Sequence, residues 1–138
     1  MKTSICAGLV LTVVLAGCAG SHPTSLESGI TGAWGEDPED CETNPHTISF
    51  SPEGDLMHLA YRNAGTVDGR SLQERFSYQV LGKSHSGLHV ALIGESSKDS
   101  SGRAVTWELK QSGRDSYCWR RSDWTANECT VSRMRCGL

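Results

Sequence analysis

From residue 30 onward, apolar side chains recur at every second position, the spacing of a strand with one buried face. Ile48 and Phe50 alternate with Thr47, Ser49 and Ser51, and Pro52-Glu53-Gly54-Asp55 then reads as a hairpin turn. Met57, Leu59 and Tyr61 repeat the spacing, as do Phe76, Tyr78 and Val80. Leu88, Val90 and Leu92 follow, with Ala91 and Ile93 on the opposite face. Val105, Trp107 and Leu109 come next, then Tyr117 and Trp119. With residues 30–35 this makes seven short strands, separated by turn-rich stretches at 63–69, 82–87, 95–102 and 111–115. No ten-residue segment carries a helical apolar stripe. The pattern predicts an all-β chain: a small antiparallel meander of about seven to eight strands, curled into a barrel or a sandwich.

The N-terminus departs from this pattern. Residues 5–17 (ICAGLVLTVVLAG) form an apolar run of about 13 residues, following the positive charge of Lys2. A membrane-spanning helix needs about 20 residues, so the run fits a signal peptide better than a span. Leu15-Ala16-Gly17-Cys18 resembles the lipobox of bacterial lipoproteins. That resemblance implies cleavage before Cys18 and acylation of Cys18, giving lasting attachment to a membrane. Ala19, rather than Asp, follows the lipidated Cys, which by the same resemblance favours the outer membrane. The organisation expected is a signal peptide over 1–17, lipidated Cys18 with a flexible tether to 29 (AGSHPTSLESG), and a single β domain over 30–138 with a Cys-rich C-terminal segment.

The rest of the 138-residue composition is ordinary: 21% charged, 37% hydrophobic and 7% aromatic, with a formal charge of −3. Disordered and fibrous classes are excluded, and a nucleic-acid partner relying on net positive charge is not expected. Export makes the cysteines informative. Cys6 leaves with the signal and Cys18 is committed to lipid. Cys41, Cys118, Cys129 and Cys136 remain, an even number in an oxidising compartment, which predicts two disulfides. Spacings of 11 and 7 with no C-x₂-C match no standard zinc site. Three pairings are open. If the barrel closes its first strand on the Tyr117–Trp119 strand, Cys41–Cys118 is the closing staple and Cys129–Cys136 pins the tail; pairing of Cys118 with Cys129 or Cys136 is the competitor.

Charge is segregated along the chain. Eight acids and no Lys or Arg lie between residues 27 and 55, concentrated in Glu36-Asp37-Pro38-Glu39-Asp40-Cys41-Glu42. The EF-hand pattern is absent, so a solvated acidic loop is expected rather than a metal site. Residues 113–138 hold five Arg, and Trp119, Arg120, Arg121 and Trp124 stand close together. Aromatic area beside forked guanidinium donors is the composition of protein-interaction hot spots. The alternative is internal: the basic end pairs with the acidic loop across the barrel seam while the aromatics fill the core. His22, His46, His58, His85 and His89 form no metal-ligand spacing, although His58 and His89 could face one another across strands. No G-x-S-x-G or S-x-x-K occurs, so neither an enzyme nor a cofactor is expected.

Gly32-Ala33-Trp34, then a Cys, a meander and a closing aromatic strand resemble small lipocalin-like envelope domains. Two functions follow. One is a lipid-anchored, non-catalytic module that binds an envelope protein as inhibitor, immunity factor or assembly accessory, facing the periplasm. The other is a lipocalin-like carrier of a small apolar or lipid ligand. Sixteen inward-facing, mostly large side chains on short strands leave little cavity, which favours the first.

Overall fold

The computed structural model describes residues 26–71 and 73–137; the signal-peptide, lipidation and His22 expectations fall outside them. Eight antiparallel strands close into a barrel: β1 Gly32–Gly35, β2 His46–Phe50, β3 Leu56–Tyr61, β6 Arg75–Lys83, β7 Gly87–Leu92, β8 Trp107–Gln111, β9 Ser116–Arg121 and β10 Arg133–Arg135. Each strand pairs with its neighbour in the chain, and β10 pairs with β1 to close the ring. Between β3 and β6 lies a two-stranded hairpin, β4 Thr66–Val67 and β5 Arg70–Ser71. Its turn is Asp68-Gly69, both at positive φ (51° and 75°), the backbone that a two-residue hairpin turn demands.

The connections distinguish the two ends. At the base, turns of a few residues join β2 to β3, β6 to β7 and β8 to β9; at the mouth, longer segments leave β1, β3, β7 and β9. The 52–55 turn is as the sequence reads: Gly54 N donates to Ser51 O at 2.9 Å, and Ser51 Oγ donates to Asp55 Oδ1 at 2.6 Å.

Two short helices flank β1. Helix α1, Leu26–Ile30, plugs the base. It occupies residues whose polarity reads as tether, because Leu26 and Ile30 meet the barrel interior together and Ile30 is wholly buried. Residue 30 is therefore the end of a helix rather than the start of a strand. Helix α2, Pro38–Thr43, is built from the acidic stretch. Asp37 caps it by accepting from Asp40 N at 2.8 Å, with Pro38 in the first turn, where its missing N–H costs nothing.

The interior holds Ile30, Trp34, Ile48, Met57, Leu59, Leu88, Val90, Leu109 and Tyr117, each at most 4% exposed. Phe50, Tyr61, Phe76, Tyr78, Val80, Trp107 and Trp119 pack against them, partly buried. The alternation read from sequence thus points the right side chains inward. Trp34 anchors the base: its Nε1 donates to Ile30 O at 2.9 Å, and the Arg135 guanidinium lies 4.3 Å above its ring. Arg135 also donates to the carbonyls of Gly29, Thr31 and Arg114 and pairs with Asp115 at 3.3 Å, tying α1, β10 and the β8–β9 turn together.

The disulfides are Cys41–Cys136 and Cys118–Cys129, which corrects the expected Cys41–Cys118 and Cys129–Cys136 pairing. The reason is the eighth strand. Arg133-Met134-Arg135 carries no apolar alternation, yet it slots between β1 and β9 and moves Cys118 one strand away from the seam. Cys136 takes its place there, donating from its backbone N to Ala33 O at 2.9 Å. Helix α2 folds back over the outside of the seam to bring Cys41 to it. Only glycine fits beneath: a Cβ at Gly35 would lie 2.9 Å from both Cys41 N and Cys41 Sγ.

Candidate functional site

Trp119, Arg120, Arg121 and Trp124 are brought together on β9 and the segment that follows it at the mouth. Strand parity sets their roles. Trp119 points inward, stacks on Tyr78 of β6 with centroids 5.4 Å apart, and meets Trp107 and Tyr117 edge-on at 6.4 and 6.1 Å. Burial pushes the Tyr78 hydroxyl up to about 12, so it stays a neutral donor. Arg120 points outward across from Glu108 of β8, its Nε donating to Glu108 Oε2 at 2.9 Å and its Nη1 to Trp124 O at 3.1 Å.

Arg121 shares the inward parity of Trp107, whose ring lies 5.9 Å from the guanidinium carbon. It donates from Nη2 to Asp123 Oδ2 at 3.1 Å. Its Nε, 3.0 Å from Asp123 Oδ1, is in ion-pair range but off the hydrogen-bonding direction, and it is enclosed. Trp124 folds back onto Trp107 edge-on at 6.0 Å and is half-buried. Trp119, Trp107 and Trp124 therefore make a chain of ring contacts with Arg121 beside Trp107, while Arg120 lies on the outer face of β9, where the Cys118–Cys129 bridge also sits.

This arrangement matches the internal alternative for the C-terminal segment except in one partner. The aromatics are packed, and the arginines are internally paired, but Arg120 pairs with Glu108 rather than with the acidic stretch. That stretch is reached by Arg133, which bonds Glu36 at 2.7 Å across the seam. Arg133 and Arg135 share the inward parity of Tyr117 and Trp34, a feature invisible while 133–135 reads as a polar tail.

Of the histidines, His46 is 1% exposed and bonded through Nε2 to the Tyr117 hydroxyl. Burial foremost, and then the nearby Arg133, lower its pKa to about 4. His58 bonds Ser77 at 3.0 Å and His89 bonds Thr106 at 2.8 Å; they do not face one another, since β6 lies between their strands. Among the described residues no group of three or more His, Cys, Asp or Glu is placed to hold a metal ion. A shallow cleft of about 240 Å³ opens on the outer wall between the β6–β7 hairpin and Glu108, on the face opposite the barrel interior.

The mouth combines rigid aromatic area with the forked donors of Arg121. The chain matches no family model, and no curated protein and no solved structure matches it.

Proposed function

We propose that this protein is a non-catalytic interaction module, lipid-anchored at the outer membrane through Cys18, that docks an envelope protein at the barrel mouth. The observation that carries the reading is the division of the barrel into a filled half and a decorated end. Nine interior side chains at 4% exposure or less occupy the body of the barrel, so an apolar ligand finds no deep calyx among them. The mouth carries Trp107, Trp119 and Trp124 beside Arg121, with Arg120 on the adjoining outer wall, already locked by ion pairs and a disulfide. Ordering these side chains before the partner arrives removes entropy that binding otherwise loses. Placement supports the same reading. The chain enters the domain at α1, on the base, at the end opposite this surface.

Arg121 and Trp124 are the residues to test. Trp124→Ala and Arg121→Ala, made separately in the full chain, are expected to weaken capture of the partner from envelope extract at least tenfold, corresponding to about 1.4 kcal/mol or more. Arg120 is left intact because its bonds to Glu108 and Trp124 make it structural as well. Undiminished capture by both variants, with melting temperatures near wild type, sinks the mouth as the docking surface. For the anchor, Cys18→Ser is expected to abolish incorporation of labelled fatty acid and to release the protein from the membrane fraction; undiminished labelling of the variant refutes it.

The carrier reading rests on a separate observation, the partial exposure of Tyr61, Phe76, Tyr78 and Trp119. These could cradle a small amphipathic molecule at the mouth. Native mass spectrometry of the exported protein separates the two, since a carrier retains a bound species of defined mass.

A further inference from the structure

We propose that His46 is an acid-sensitive latch on the barrel seam: protonating it loosens β1 from β10 at the mouth. The proposal rests on where the imidazole sits. His46 opens β2, pairing with Trp34 of β1 on one side and Tyr61 of β3 on the other. It is 1% exposed, its ring lies 5.2 Å from the Tyr61 ring and 6.0 Å from that of Tyr117, and its Nε2 bonds the Tyr117 hydroxyl.

The charged groups around it come from every neighbouring element. Arg133 of β10 opposes an imidazolium, while Asp40 of α2 favours one. Glu36, just after β1, is held by Arg133 at 2.7 Å. Asp40 is occupied too, its Oδ2 accepting from Glu36 N at 2.9 Å. Tyr61 and Tyr117 are both pushed up by burial, so neither offers a phenolate as counter-ion. A proton on His46 thus creates a cation in an enclosed site that faces a guanidinium, and both nearby carboxylates already have partners.

β10 makes the shortest joins of the barrel, two residue pairs to β1 and two to β9. β1 and β10 share two residue pairs, Trp34↔Arg135 and Gly35↔Met134, whereas β2 and β3 share five. Letting water reach the imidazolium therefore costs least along β10, and of its two sides the β1 side is the one whose strand pairs with His46. Cys41–Cys136 keeps α2 tied to the seam, so the opening is partial and reversible.

The direction of the pH dependence follows from linkage. The folded imidazole resists protonation down to about 4, against an ordinary value near 6.5, so the open form takes the proton first. The closed seam is fully favoured above about 6.5 and loses ground as pH falls toward 4. The limiting slope is about tenfold in the open-to-closed ratio per pH unit.

Native-state hydrogen exchange on the full chain tests this, with rates corrected for intrinsic pH dependence. Between pH 7 and 4.5, the Cys136 amide bonded to Ala33 O, and those of Met134 and Gly35, are expected to lose protection by up to about tenfold per unit below 6.5. The Val90 amide on β7, across the barrel from the seam, is expected to stay unchanged. His46→Gln, which keeps a polar group near Tyr117 without titrating, is expected to remove the slope. Should that variant not fold, the wild-type imidazole resonances decide: His46 is expected to remain neutral at pH 5.5. A ring that charges near pH 6.5, or seam and β7 amides that lose protection in parallel, overturns the latch. So does an undiminished slope in a folded His46→Gln protein.

Discussion

Removing the Cys41–Cys136 bridge is expected to destabilise the domain by about 4–5 kcal/mol, against about 3 kcal/mol for Cys118–Cys129. The difference comes from the loops each bond closes. Cys41–Cys136 spans 95 residues, and Cys118–Cys129 spans 11. The long loop embraces nearly the whole barrel, so cutting it returns far more freedom to the unfolded chain. Location adds to the effect, because this bond clasps α2 over a seam of only two residue pairs. Paired Cys→Ala variants for each bridge, unfolded in urea, provide the measurement. Equal losses, or a larger loss at Cys118–Cys129, contradict the entropic ranking. Alkylation of the exported protein under denaturing, non-reducing conditions is expected to add no mass at these four positions.

Trp34→Ala is expected to cost about 3–5 kcal/mol, the range for truncating a large buried aromatic in a packed core. Trp34 is 0% exposed and links α1 to β9 and β10. It donates to Ile30 O at 2.9 Å, meets Tyr117 edge-on at 4.9 Å and carries the Arg135 guanidinium at 4.3 Å. Truncation leaves the Ile30 carbonyl without this donor and removes the ring beneath Arg135. Trp34→Phe is expected to retain part of the stability, since it keeps most of the apolar volume and loses the indole N–H. The two variants, compared by chemical unfolding, separate packing from the hydrogen bond. A loss below about 1 kcal/mol for Trp34→Ala would show that Trp34 is not the keystone of the base.

The candidate docking surface and the seam illustrate what local pattern reveals. Trp119 inward and Arg120 outward follow from the period-two spacing of β9, because successive side chains on a strand point to opposite faces. The partner of Arg120 does not follow from spacing. Glu108 becomes its neighbour through the β8–β9 register, and Trp124 reaches Trp107 because the chain turns back over the mouth. Nor does any pattern mark Arg133 and Arg135 as inward-facing. Three residues are too few to establish a period, and their charge argues for solvent until Glu36, Asp115 and Trp34 are found opposite them.

By itself, the sequence determined the all-β class, the number of disulfides, the inward set of strand side chains and the close grouping of Trp119, Arg120, Arg121 and Trp124. Each of these is a local property: the alternation of a pleated chain, the parity of cysteines, or nearness along the backbone. Tertiary structure alone decided the eighth strand, the disulfide pairing, the helix at the base, and the burial of His46 against Tyr117. Those depend on which segments become neighbours after ring closure. Closure is set by the total of all strand pairings and loop lengths around the barrel, and no window of the sequence contains that sum.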